Sequence, residues 1–151
     1  MKKSVRKICI VLCIISMLVV SVNAQEDGTF SSPFFASYDS CIEVITGTTS
    51  IEIWFDVVGN GAMDEIGVSE IELERSRDGR DWTVVKTFLP EDYPQMICRN
   101  TGIAYDYVPY TGDSGYVYRA YVTFHARNSR GLGIEYQYSE SVYVVVVPGF
   151  N

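Results

Sequence analysis

Histidine, helical periodicity and long apolar runs are what this 151-residue sequence has least of. Its single histidine, His125, cannot complete a zinc site and leaves a hydrolase only one imidazole base. No segment after residue 24 repeats apolar residues at helical spacing, which predicts an all-β chain. The mostly apolar run 8–20 has 13 residues, fewer than the roughly 18 needed to cross a bilayer.

Basic residues are also scarce, and their placement is uneven. Of 12 lysines and arginines, four lie in residues 1–7, directly before the apolar run, and small residues lead up to Ala24. This arrangement predicts a secretory signal peptide over 1–24, cut after Ala24, followed by a single secreted domain over 25–151 in the periplasm or the medium. Eight basic and 19 acidic residues remain there, a net charge of −11. That surface predicts neither a nucleic-acid partner nor membrane insertion.

Cysteine is nearly absent from the predicted mature chain. Cys9 and Cys13 fall within the signal, which leaves Cys41 and Cys98 as one even pair. In an oxidising compartment such a pair predicts a disulfide, and the alternative is two buried thiols. The pair has no metal-binding spacing.

Strict alternation of apolar and polar residues dominates the remaining sequence. In 51–58 the apolar positions fall on one face and Trp54 on the other, and NGAMDEIG (60–67) predicts a loop. Asp78-Gly79 predicts a hairpin turn. In 116–127 one row is apolar and the other carries Arg119, Tyr121, His125 and Arg127. About seven such strands, with turns every eight to twelve residues, predict an antiparallel β-sandwich in which the glutamates of 70–74 face arginines of the neighbouring strand.

Two segments carry a resemblance. The hairpin SEIELERSRDGRDWTVVKT and the strand YRAYVTFHARNSRG, with Ala126, Asn128 and Gly131, resemble a fibronectin type III-like domain, as in small secreted proteins of Gram-positive anaerobes where a MDEIG-like loop precedes the hairpin. The resemblance spans roughly 51–147 and implies an immunoglobulin-like β-sandwich. Two departures from the family concern local detail. In the second strand, the alternation places Phe55 on the core side, where the family usually has a tryptophan, and it places Trp54 on the opposite side. In the strand 116–127, Ala120 stands where the family has a corner tyrosine. The resemblance implies no particular function.

Two motifs look like chemistry and are better explained as structure. GDSG (112–115) repeats the motif around the nucleophilic serine of chymotrypsin-like proteases. In that family the catalytic histidine precedes the serine, whereas here His125 follows Ser114. Such a protease also consists of two β-barrels, which one small domain cannot contain. Glycine, aspartate and serine are turn residues, so a turn is predicted there. A loop bracketed by four oxygen-bearing residues offers a weak calcium candidate without EF-hand spacing. Those residues are Asp56, Asn60, Asp64 and Glu65.

Aromatic residues are the unusual resource of this sequence. All 11 tyrosines and both tryptophans follow residue 24, and the phase of their strands turns Trp54 and Tyr121 outward. Outward rings can anchor a protein or stack on a sugar. The alternative for Trp54 is a ring covered by a terminus or a loop, because large apolar rings are seldom left bare. The sequence thus predicts no catalytic, metal or cofactor site, and a secreted binding or adhesion module whose partner is a protein or glycan at a cell surface. The alternative is a carbohydrate-binding module using the same aromatics, with calcium assistance.

Overall fold

A computed structural model describes residues 32–145 as an antiparallel β structure of seven strands. The strands are β1 (Phe35–Val44), β2 (Ser50–Ser76), β3 (Thr83–Phe88), β4 (Ile97–Thr111), β5 (Val117–Asn128), β6 (Gly131–Tyr138) and β7 (Val142–Tyr143). A short 3-10 turn, Pro94–Met96, precedes β4. The predicted signal peptide and its cleavage after Ala24 lie outside the described residues. Within 32–145 there is no helix with the length and apolarity to cross a membrane.

The central element is β2, which is 27 residues long and pairs with four other strands. One edge of β2 pairs with β1 and then, further along, with β5. The other edge pairs with β4 and then with β3. Strands β6 and β7 both pair with β5, and every pairing is antiparallel. The result is one curled sheet wound around a single long strand.

The predicted loop 60–67 is wrong, because this segment continues β2. The pairing of β2 with β4 shifts register between Val58 and Met63 and then resumes. Gly61 and Gly67 adopt positive φ values of 101° and 146°, which suit a bulge that bends a strand without ending it. The described residues still form seven strands, the number predicted, although residues 50–76 make one strand, β2, and the segment after β5 contains two, β6 and β7.

The predicted period-two burial is confirmed. In the first half of β2 and along β5, alternate side chains are almost fully shielded from solvent. The same holds for Ile71 and Leu73 in the second half of β2. The buried residues of the two rows are Ile51, Ile53, Phe55, Val57, Tyr118, Ala120, Val122, Phe124 and Ala126.

The curl brings β1 over β5 and β6. The ring of Tyr38 in β1 lies 4.8 Å from that of Phe124 in β5, measured between centroids. Ser40 donates a hydrogen bond of 3.1 Å to Gln137 Oε1 on β6. Phe34 packs so closely on Gly133 that a Cβ there would lie 2.7 Å from the phenylalanine side chain. The two halves of the curled sheet therefore enclose a common core.

The predicted Cys41–Cys98 disulfide is not supported, because both cysteines are free thiols. Cys41 in β1 pairs with Trp54, whereas Cys98 in β4 pairs with Ile66, so they lie on opposite edges of β2 and far apart along it. Cys41 is exposed, between the buried Ser40 and Ile42, while Cys98 packs against the core. Side chains that point to opposite faces cannot be bridged without moving the backbone.

Alkylation of the unfolded protein without reduction is expected to modify both Cys41 and Cys98. The physical reason is the separation of the two side chains across β2. Peptide mass analysis measures the modification at each site. A 41–98 cross-linked peptide that disappears on reduction would contradict the strand pairing described here.

Candidate functional site

The outward side chains of β1, the first half of β2, and β4 form a surface called here the Trp54 face. Trp54 stands outward because its neighbours Ile53 and Phe55 point into the core. Strand pairing aligns three cross-strand rows on this surface. The rows are Glu43, Glu52 and Pro109; Cys41, Trp54 and Tyr107; and Asp39, Asp56 and Tyr105.

Three rings form the centre of the Trp54 face. The Trp54 ring lies 4.6 Å from that of Tyr107 and 5.4 Å from that of Tyr105, with tilts of 35° and 31°. The indole Nε1 donates a hydrogen bond of 3.2 Å to Glu52 Oε2. Tyr105 is 64% exposed. Trp54 and Tyr107 are half-buried. Contacts of this kind hold the rings in place, so the face presents an aromatic platform whose most exposed part is Tyr105.

A shallow depression of about 230 Å³ opens between this platform and β1. The residues that line it include two aromatic residues, one cysteine and three acidic residues, namely Trp54, Tyr105, Cys41, Asp39, Glu43 and Asp56. Pockets that enclose a drug-sized ligand are larger, about 300 to 1,000 Å³. The depression therefore suits a single side chain or a small group of atoms.

Negative charge surrounds the platform. Glu43 pairs directly with Glu52, and Asp39 pairs directly with Asp56, so two like-charged pairs flank the row of Trp54. Among the described residues, none of the ion pairs includes any of these four carboxylates. Burial, and then the charges of Glu43 and Asp39, raise the pKa of the Cys41 thiol. The Trp54 face is thus an acidic aromatic surface whose carboxylates form no ion pair with a cation of residues 32–145.

A second aromatic surface, called here the Tyr121 face, covers the opposite half of the sheet. It comprises Glu72, Glu74, Trp82, Arg119, Tyr121, Tyr136 and Tyr138. The Tyr121 ring lies 5.9 Å from Tyr136, nearly parallel to it at 5°, and 4.6 Å from Tyr138. The outward placement predicted for Tyr121 agrees with this packing, although its ring is partly covered by its neighbours.

The Tyr121 face contains its own cation. The Arg119 guanidinium carbon lies 4.1 Å from the centroid of the Trp82 ring and 4.4 Å from that of Tyr138. Arg119 Nε also donates a hydrogen bond of 2.6 Å to Glu74 Oε2. This contact confirms the predicted pairing of acids with arginines for Glu74 alone, because Glu70 and Glu72 lie opposite Thr123 and Tyr121. On the Tyr121 face, two aromatic rings and a carboxylate therefore already contact a cation of the same chain, the Arg119 guanidinium.

Glu65 lies at the centre of a charge cluster that sequence reasoning missed. Arg127 Nη2 and His125 Nε2 lie 2.9 Å and 3.3 Å from Glu65 Oε2, and Arg99 forms a further ion pair with Oε1. Burial alone would raise the pKa of Glu65, but the charges of Arg127 and Arg99 and the hydrogen bond from His125 lower it overall. The cluster depends on pairing across three strands, which no local pattern in the sequence reports.

Replacing Glu65 by glutamine is expected to destabilise the fold by about 1 kcal/mol at neutral pH, a value limited by the exposure of the two arginines. Because the folded-state pKa is lowered, the ionised carboxylate stabilises the fold above its unfolded pKa, and this contribution is lost as pH falls through the folded pKa. The difference between wild type and variant should therefore vanish in acid. Urea unfolding between pH 7 and pH 3 measures it.

Glu70→Gln is the matched control, since Glu70 takes part in no ion pair among the described residues. It should leave the unfolding free energy unchanged over the same range. An effect of Glu65→Gln that is the same at both ends of the pH range would show that the ion pairs contribute nothing.

The calcium candidate is not assembled by the fold. Asp56 belongs to the Trp54 face, Glu65 is occupied by cations, and the Asn60 side chain donates to the backbone oxygens of Ser32 and Phe35 at 2.6 Å and 3.1 Å. Across residues 32–145 no group of three or more histidine, cysteine or acidic side chains is arranged to hold a metal ion.

The serine and histidine weighed as catalytic candidates belong to separate local structures. Ser114 lies in the turn between β4 and β5, in keeping with the turn predicted for GDSG. His125 lies on β5 beside Glu65, with 16% of its side chain exposed. The alternation of β5 predicts that His125 points to solvent, but its side chain is more buried than that because it packs against Glu65 and the arginines around it.

No protein-family model, curated protein or solved structure matches this chain. Residues 32–145 form a seven-stranded antiparallel β fold with two aromatic outer faces.

Proposed function

We propose that the protein is a secreted, non-catalytic binding or adhesion module with an immunoglobulin-like, fibronectin type III-like sandwich. The basic and apolar start of the chain supports secretion. The curled antiparallel sheet, with two halves around one core, supports the sandwich. The resemblance in sequence fits the turn where β5 ends at Asn128 and β6 begins at Gly131.

The Trp54 face is the observation that carries this proposal. A fold excludes water by burying its large rings, and this chain does so with Phe55, Phe88 and Phe124. Trp54, Tyr105 and Tyr107 lie instead on the outer side of the sheet beside an open depression. Rigid aromatic side chains on a surface are the groups that most often dominate protein interfaces.

The test is binding of the labelled, purified protein to the surface of the cells that secrete it. Tyr105→Ala removes a ring of the Trp54 face, and Tyr143→Ala removes a similarly exposed ring outside both faces. We expect Tyr105→Ala to weaken binding at least about tenfold, the loss of one anchoring contact, and Tyr143→Ala to leave it unchanged. Equal binding by both variants and wild type would refute a role for the face.

The alternative function is a carbohydrate-binding module, and one observation favours it. The exposed Tyr105 ring and the Trp54 ring lie beside carboxylates that can accept hydrogen bonds from sugar hydroxyls. A glycan array of wild type and Trp54→Ala, in calcium and in chelator, tests this candidate. Sugar binding that depends on Trp54 would establish a carbohydrate-binding module. If that binding also depended on calcium, the calcium-assisted form of this function would be established.

A further inference from the structure

We propose that the Trp54 face binds lysine or arginine side chains of a basic polypeptide partner. This inference rests on the proposed binding function and names the chemistry of the partner. It comes from the charge and ring geometry of the outer face of β1, β2 and β4.

The first argument is electrostatic. Two pairs of acidic residues, Glu43 with Glu52 and Asp39 with Asp56, are cross-strand partners on either side of the Trp54 row. Like charges opposite each other destabilise a sheet, and no cation of the described chain is paired with these four. A positive group placed over Trp54 would be attracted by both pairs at once. The arrangement favours occupancy by an external cation.

The second argument is geometric. The face of an indole ring attracts a cation more strongly than any other aromatic side chain. Two aromatic residues, Trp54 and Tyr105, and the acidic residues Glu43 and Asp56 line the same depression of about 230 Å³. A lysine or arginine side chain can lay its methylene stem along the rings and keep its charged end beside the acids.

The third argument is an internal comparison. Elsewhere in this chain the same components occur with the cation present: Arg119 lies between Trp82 and Tyr138 and pairs with Glu74. Arg75 and Arg77 likewise approach the Tyr116 ring at 4.6 Å and 4.9 Å. The Trp54 face has the aromatic and acidic residues, but within the described part of the chain no arginine contacts its rings or pairs with its carboxylates. A partner that supplies one completes an arrangement the fold already uses.

Other occupants fit the face less well. A neutral sugar would leave both like-charged pairs uncompensated. A divalent metal finds no group of three ligands among residues 32–145. A second copy of this chain would bring further negative charge, since the sequence carries 19 acidic and 12 basic residues.

The experiment uses Trp54 as its own probe. The protein has two tryptophans, so Trp82→Phe leaves Trp54 as the only indole while keeping a ring for Arg119. Titration with hexalysine or hexaarginine is expected to give a saturable change in fluorescence that weakens as salt rises. In this background, Glu43→Gln with Asp56→Asn should weaken binding by about tenfold or more, because it removes one charge from each like-charged pair.

Glu91→Gln with Asp92→Asn is the charge-matched control, placed in the exposed loop between β3 and the 3-10 turn. It should weaken binding less than about threefold, through net charge alone. No saturable change with either peptide, or equal weakening by the two double variants, would overturn the inference. If a neutral hexasaccharide changes the fluorescence and the cationic peptides do not, the face is a sugar site and the inference is wrong.

The test separates this inference from the function on which it rests. Loss of cell-surface binding by Tyr105→Ala, without binding of either peptide, would leave the binding module standing and remove its cationic partner. Absence of both effects would remove both proposals.

Discussion

Replacing Gly67 by alanine is expected to destabilise the protein by about 3 kcal/mol or more, or to prevent folding. Gly67 has a φ of 146°, and a Cβ at this position would lie 2.0 Å from the backbone oxygen of Met96. That oxygen cannot retreat easily, because Met96 ends the 3-10 turn and the next residue, Ile97, pairs with Gly67. Urea unfolding followed by circular dichroism measures the loss.

Gly61→Ala is the matched control for this prediction. Gly61 also has a positive φ, 101°, but a Cβ there would meet nothing within 4 Å. Its substitution should therefore cost only the backbone strain, about 1 to 2 kcal/mol. Similar losses for the two variants would show that β2 and the 3-10 turn do not approach each other as described.

Phe124→Ala is expected to cost about 3 to 5 kcal/mol, the usual range for removing a buried aromatic ring. Phe124 is completely buried on β5 and contacts Tyr38, which lies on β1 in the other half of the curled sheet. The variant loses the packing that joins the two halves. Thermal unfolding measured by calorimetry gives the size of the loss.

Thr123→Ala provides the comparison, since Thr123 is the neighbour of Phe124 on the outward side of the same strand and is half-buried. Its cost should stay below about 1 kcal/mol, the range of strand propensities. A larger loss of unfolding free energy for Thr123→Ala than for Phe124→Ala would show that the core lies on the Thr123 side of β5, contrary to the burial of Phe124.

Residues that alternate along a single strand could be assigned to a face from the sequence. Counting parity from Ile51 puts Phe55 inside and Trp54 outside, and the structure agrees. The bend of β2 could not be predicted in the same way. Glycines and polar residues at 60–67 are the local signal of a turn and of a bulge alike. Only the pairing of β4 with β2 on both sides of residues 59–62 decides between them.

In the candidate site too, some features follow from alternation within one strand and others depend on the pairing of strands. The outward phase of Trp54 follows from the sequence, but its contacts with Tyr105 and Tyr107 depend on the register of β2 against β4. The like-charged pair of Glu43 and Glu52 depends on the register of β1. The cysteines illustrate the same limit, because an even pair carries no information about the strands on which its members lie. The local sequence pattern does not determine which distant strands pair or in which register.

The position of Trp54 next to Phe55 gives the most direct test of the central claim, that in the first half of β2 the outer row serves binding while the inner row serves stability. Unfolding free energy and cell-surface binding are measured for Trp54→Ala and Phe55→Ala. We expect Phe55→Ala to lose about 3 to 5 kcal/mol of stability. Trp54→Ala should lose about 1 to 2 kcal/mol, the value of its two ring contacts, together with most of its binding. A Trp54→Ala protein that is as unstable as Phe55→Ala, or that is stable and binds as wild type does, would contradict the account.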